Sequence, residues 1–115
     1  MKRIFVSLPG REVPMPELLN QHHILYQEAI HEVMAINSNE EVEVISRLLV
    51  PLPIINGENP WVYFLGDTIM KLAFADYAFF AWNWETSKEC RFEHTIAKEY
   101  GMKILYQNKP TEVNT

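Results

Sequence analysis

Cysteine is nearly absent: Cys90 is the only one in 115 residues. That excludes an internal disulfide framework and any CxxC metal or redox site, and it suits a reducing interior. Basic residues are also in the minority, ten Lys and Arg against fifteen Asp and Glu, for a formal charge of −5. With a pI near 5.3 no broad cationic surface forms, so a nucleic-acid polymer is not an expected partner, although a small anion can still bind locally. Nor does any apolar run approach the roughly 20 residues needed to cross a bilayer. The opening MKRIFVSLPG holds only a short one before Ser, Pro and Gly. The expectation is a cytoplasmic chain without a membrane partner.

What is present suffices for one core: 48% hydrophobic and 12% aromatic residues, read as a single domain over 1–106 with a polar tail over 107–115 that is loose or borrowed by a neighbouring subunit. RIFVS, from Arg3 to Ser7, reads as a buried strand entering a loop at Leu8-Pro9-Gly10. From about Pro16 to Ile36, Leu19, His23, Tyr26, Ile30, Val33 and Met34 recur at helical spacing, and Asn37-Ser38-Asn39 is the stop. EVEVI, from Glu41 to Ile45, alternates with glutamates on one face, which fits an edge strand. RLLVPLPIINGENP then reads as a long irregular connection, packed on the domain or on another subunit.

Asn59 as N-cap and Pro60 at the first helical position start a second helix running to about Phe74. YAFFA, from Tyr77 to Ala81, is continuously apolar, as a central parallel strand covered on both sides must be. After the loop Trp82-Asn83-Trp84-Glu85, Thr86 and Glu89 fit a capping box for a third helix that ends at about Tyr100 with Gly101 as its cap. KILY, from Lys103 to Tyr106, is the last strand. Strict β-α alternation predicts a parallel sheet of about four strands with helices on both faces and right-handed crossovers. Ligands of such sheets bind beyond the carboxyl ends of the strands.

That rule selects the segment from Ser7 to Arg11, the connection after Ile45, and the segment from Trp82 to Glu93. In the first, the Ser7 hydroxyl, the turn amides at Gly10 and the Arg11 guanidinium can hold a phosphate or a sugar hydroxyl, or Pro-Gly is simply a turn. In the third, Trp82 and Trp84 offer indole faces to a flat ring, or they cap the core. At about 100° per residue, Phe92, Ile96, Ala97 and Tyr100 form one apolar arc, and Glu93 falls inside it. An unpartnered buried charge costs several kcal/mol. Glu93 is therefore either neutralised by a neighbour such as Arg91 or looks into a ligand cleft, where partial burial raises its pKa and suits it to act as nucleophile or general base. Glu89 projects on nearly the same side. The histidines His22, His23 and His31 form no zinc motif, and Cys90 with His94 lacks further ligands, so no metal or cofactor is expected.

The stretch from Leu65 to Tyr106 places Ala-Asp, an apolar strand, an aromatic loop, Cys-Arg-Phe-Glu-His and Ala-Lys-Glu-Tyr-Gly in series. Together with IFVSLPG it resembles a family of small bacterial and phage proteins, the DUF4406 domain. That family is similar in turn to the nucleoside 2-deoxyribosyltransferases and the nucleoside 5'-monophosphate N-glycosidases. The resemblance covers most of the chain and is weakest from Arg47 to Asn59. It implies a flavodoxin-like domain in which Glu93 attacks the anomeric carbon of a nucleoside or nucleotide, Asp67 serves the leaving base, and Asp76 is structural. It also implies at least a homodimer, because relatives complete their sites with residues of a second subunit. Three departures accompany it. Ser87 stands where the transferases have an aspartate, Asp67 is one residue out of register, and Lys88-Glu89-Cys90 replaces small residues. Glu89 near an incoming phosphate would cost about 4 kcal/mol at 4 Å with an effective dielectric of 20, unless Arg11 compensates. The alternatives are a non-catalytic binder of a nucleotide-like ligand on the same fold, and an interaction protein that associates through VPLPII.

Overall fold

A computed structural model describes residues 1–10, 13–38, 40–45 and 59–109, without the side chains of 60 and 61. Arg11, Asn39, the connection over 46–58 with VPLPII, and the end of the tail lie outside the described residues. Short apolar runs form the strands: β1 (Lys2–Ser7), β2 (Val42–Ile45), β3 (Tyr77–Phe80) and β4 (Lys103–Tyr106). Between them lie α1 (Met15–Ile36), α2 (Pro60–Ala73) and α3 (Lys88–Glu99), the last preceded by a single 3-10 turn at Trp84–Thr86. Every pairing is parallel, in the order β2-β1-β3-β4. That order is the flavodoxin-like one, with its topological switch between β1 and β3. The glutamate-bearing β2 is an edge strand, as its alternation requires.

Side chains leave a strand on alternate faces, and the two faces carry separate cores. Ile4 and Val6 of β1 and Phe79 of β3 pack on Leu18, Leu25, Ala29 and Val33 of α1. Phe5, Ala78 and Phe80 face the other way, onto Leu72 of α2 and Ala97 of α3. Helices thus cover both faces. Ser7, two residues after Phe5, points to the α3 side.

The buried stripe of α1 is Leu18, His22, Leu25, Ala29 and Val33, one residue away from the stripe that begins at Leu19 and His23, both of which are exposed. Both stripes have helical spacing. The sheet selects the one holding Ala29, which is fully buried against β1 and β3. On α3 the buried face is Glu89, Cys90, Glu93 and Ala97, while Phe92 and Tyr100 are exposed. The arc predicted for α3 is therefore narrower and more polar than its sequence suggests.

Helix ends follow local chemistry. Asn59 caps α2 by accepting the Val62 N–H at 3.3 Å. On α3 the expected box at Thr86 does not form. Thr86 is held in the 3-10 turn with its hydroxyl donating to the Asn83 carbonyl at 2.7 Å, and Ser87, whose backbone is extended, accepts the Cys90 N–H at 3.2 Å. At the other end Gly101 has φ +72. The Gly101 and Met102 N–H groups return to the Lys98 and Ala97 carbonyls at 3.3 and 2.9 Å, a Schellman closure. Gly101→Ala should cost about 1 kcal/mol in urea unfolding, because an L side chain disfavours that conformation.

Asp76 ties the sheet together at its amino edge. Its carboxylate accepts the Arg3 N–H and its own N–H donates to the Arg3 carbonyl, each at 2.8 Å. No described helix is long and apolar enough to cross a membrane. Among the described residues, Val62, Tyr63 and Met70 of α2 and Phe74 just after it are exposed, on the side of the helix that also carries Gly66.

Candidate functional site at the carboxyl edge of the sheet

Because β1 and β3 are neighbours and parallel, the loops leaving them meet. A cavity of about 520 Å³ opens there, lined by Pro9, Gly10 and Val13 after β1, Asn83 and Thr86 after β3, and Ser87, Lys88, Glu89 and Arg91 at the start of α3. Two of the three segments selected from sequence therefore converge, and the third lies outside the described residues.

Behind this cavity a buried hydrogen bond also joins β1 to α3. The Ser7 hydroxyl donates to Glu93 Oε1 at 2.6 Å, and both residues have no exposed surface. The distance is that of a short, well-formed hydroxyl–carboxyl hydrogen bond. Side chains on a helix lean toward its N-terminus, so the Glu93 carboxylate lies over the turn that carries Glu89. Glu89 is 7% exposed, lines the cavity, and accepts from the Ser87 hydroxyl at 3.3 Å. Ser7 and Glu93 do not line it; Gly10, Ser87 and Glu89 do. Gly10 also fits closely over α1, where a Cβ would sit 3.1 Å from Leu18 Cδ1.

Lys88 and Arg91 bring positive charge to the same wall, with the Arg91 guanidinium fixed by donation to the Glu85 carbonyl at 2.7 Å. The repulsion expected between Glu89 and a phosphate is thus offset by two cations, Arg91, which the sequence offered only as a neutraliser of Glu93, and Lys88, which it offered only as a departure from small residues.

The remaining expected residues lie elsewhere. Asp67 pairs with Lys71 one turn on, at 3.0 Å, and does not line the cavity. Trp84 is not a free platform. Its ring stacks on His94 at 3.9 Å and 15°, in a cluster with Phe80 and Tyr106. Trp82 is 45% exposed and borders a second cavity, of about 220 Å³, on the α1 side of the β3 exit. His22 is buried edge-on against Tyr26, and among the described residues no His, Cys, Asp and Glu cluster could hold a metal.

Comparison with protein-family models, curated proteins and solved structures found no match to this chain. The geometry at the carboxyl edge therefore has to carry the functional argument.

Burial, and then the Lys98 charge, hold the His94 pKa below its ordinary value of 6.5, with Glu85 opposing. As the pH falls through 6.5 the unfolded chain takes up a proton that folded His94 resists, so the unfolded state gains stability relative to the folded one. Melting temperature should therefore decline below about pH 6.5, and more shallowly in His94→Gln, as followed by circular dichroism across a pH series.

Proposed function

We propose that the protein acts on the N-glycosidic bond of a nucleoside or nucleoside 5'-monophosphate, with Glu93 as the nucleophile. The observation that carries this reading is the buried Ser7–Glu93 hydrogen bond at the switch point of the sheet, one helical turn from a large polar cavity. The resemblance of the stretch from Leu65 to Tyr106 to the DUF4406 family supports the same residue. In the reaction the Glu93 carboxylate attacks the anomeric carbon, and the bond from that carbon to the base nitrogen breaks with its electron pair leaving on the base. A protonated carboxyl supplies the base with its proton. Water or a second base then displaces the glycosyl ester and restores the carboxylate. Glu89 faces the cavity and is better placed to meet the leaving base than Asp67, which is engaged with Lys71 and does not line it. Glu93 has no exposed surface, so substrate reaches it only once the side chains around it move. Lys88 and Arg91 make a 5'-phosphate acceptable.

The test is incubation with a panel of nucleosides and 5'-monophosphates, with and without a free acceptor base, followed by chromatography. Released or exchanged base supports the reading, and none across the panel ends it. A second reading, a non-catalytic nucleotide binder, is favoured by one observation: Glu93 has no exposed surface and does not line the cavity. A binder keeps ligand-induced thermal stabilisation in Glu93→Gln and shows no turnover.

A homo-oligomer belongs to the same proposal. Its support is the exposed apolar side of α2, whose two charged residues, Asp67 and Lys71, pair with each other and so do not repel a second copy. Met70→Lys should shift the sedimentation coefficient toward the monomer, whereas an unchanged value would show that this face is not the contact.

A further inference from the structure

The second cavity, of about 220 Å³, lies between α1 and the loop after β3. Its volume equals that of roughly seven waters at about 30 Å³ each, room for a one- or two-ring heterocycle. Its walls are Leu8, Ile24, Leu25 and the Trp82 indole, and its polar groups are three carboxamides, Gln21, Asn83 and Gln107. No ionisable side chain is among the described residues that line it. The larger cavity, by contrast, carries Lys88, Glu89 and Arg91. Asn83 lines both, so a ligand with one neutral flat part and one polar or charged part can occupy the two together.

We propose that the smaller cavity is the base-recognition subsite, in which Gln21, Asn83 and Gln107 read the edge of a nucleobase and Trp82 covers its face. The proposal rests on the nucleoside reading above and adds three residues to it. The amides are already oriented. Gln107 Oε1 accepts the Trp82 backbone N–H at 3.2 Å, which leaves its NH2 group to donate. Gln21 Nε2 donates to Glu17 Oε1 at 3.4 Å, which leaves its carbonyl to accept. A donor from one element and an acceptor from another match a base edge that presents an acceptor beside an N–H, as uracil, thymine and hypoxanthine do with a carbonyl and a ring N–H and adenine does with N1 and its amino group.

Free bases test this without any glycosidic chemistry. Uracil, thymine, hypoxanthine and adenine are titrated calorimetrically into Glu93→Gln protein, and then into the same protein carrying Gln21→Leu, Gln107→Leu or Trp82→Ala, each checked for folding by circular dichroism. All four bases should bind, and each added substitution should weaken them about tenfold. Gln107→Glu keeps the shape but removes the donor and should weaken them as much, so the test survives if a leucine variant fails to fold. No base binding, or binding unchanged by the glutamine substitutions, overturns the subsite. Turnover with an unchanged KM in the glutamine variants would also overturn it while leaving the reaction standing. Base binding lost in those variants, with no nucleoside turnover by the wild type, would support the subsite and remove the reaction.

Discussion

Glu93→Gln is expected to reduce base release by about 10⁴-fold or more, the scale on which enzymes lose rate when a covalent nucleophile is removed. The fold should survive. Glutamine has the same shape, and its amide oxygen can accept the Ser7 hydroxyl in place of Oε1, while the charge that had to be kept out of water is gone. The melting temperature should therefore hold or rise as activity disappears. Separation of the two readouts is the diagnostic point. A variant that lost activity and stability together would show only that this contact supports the fold. Full activity in Glu93→Gln would remove Glu93 as nucleophile outright.

Ser7→Ala carries the second large effect, and it falls on stability. The lost bond is fully buried and short, and hydrogen bonds to charged groups contribute about 1.5–3 kcal/mol. Urea unfolding should show a loss of about 2 kcal/mol, a large share of the 5–15 kcal/mol available to a domain. The double variant Ser7→Ala/Glu93→Gln closes a cycle. If the hydroxyl chiefly serves a charged carboxylate, alanine at position 7 should cost less in the glutamine background. Equal costs in both backgrounds would mean that Ser7 acts through packing instead.

The fold was largely legible because its signals are local. Continuous apolarity in YAFF marked a central strand, alternation in EVEVI an edge, and Asn59-Pro60 a helix start, and each occurs as such. Where two local answers tie, only tertiary contact decides. The two stripes of α1 have the same period, and the choice between them depends on which one fits the sheet. Likewise both Thr86 and Ser87 can cap a helix, and the 3-10 turn before α3 claims Thr86.

At the candidate site, Glu93 was identifiable as a carboxylate within an apolar helical arc, and its burial follows. Its partner Ser7 lies 86 positions away, a distance no periodicity spans. Trp84 could be read from sequence as a stacking platform or as a cap on the core, and the second holds: it packs against the core around Phe80, with its ring stacked on His94 of the following helix. Gln21, Asn83 and Gln107 carried no signal at all, since isolated carboxamides on a helix and two loops look like surface until the topology brings them together.

The central position of β1 also bears on how the chain is made. Ile4 is paired with Tyr77, so β1 leaves the ribosome about seventy residues before its inner neighbour exists. Loop closure over that span is slow relative to local helix formation. Until then, among the described strands, the apolar IFV segment has β2 alone to pair with, which makes the half-synthesised chain the form most exposed to aggregation and to chaperone capture.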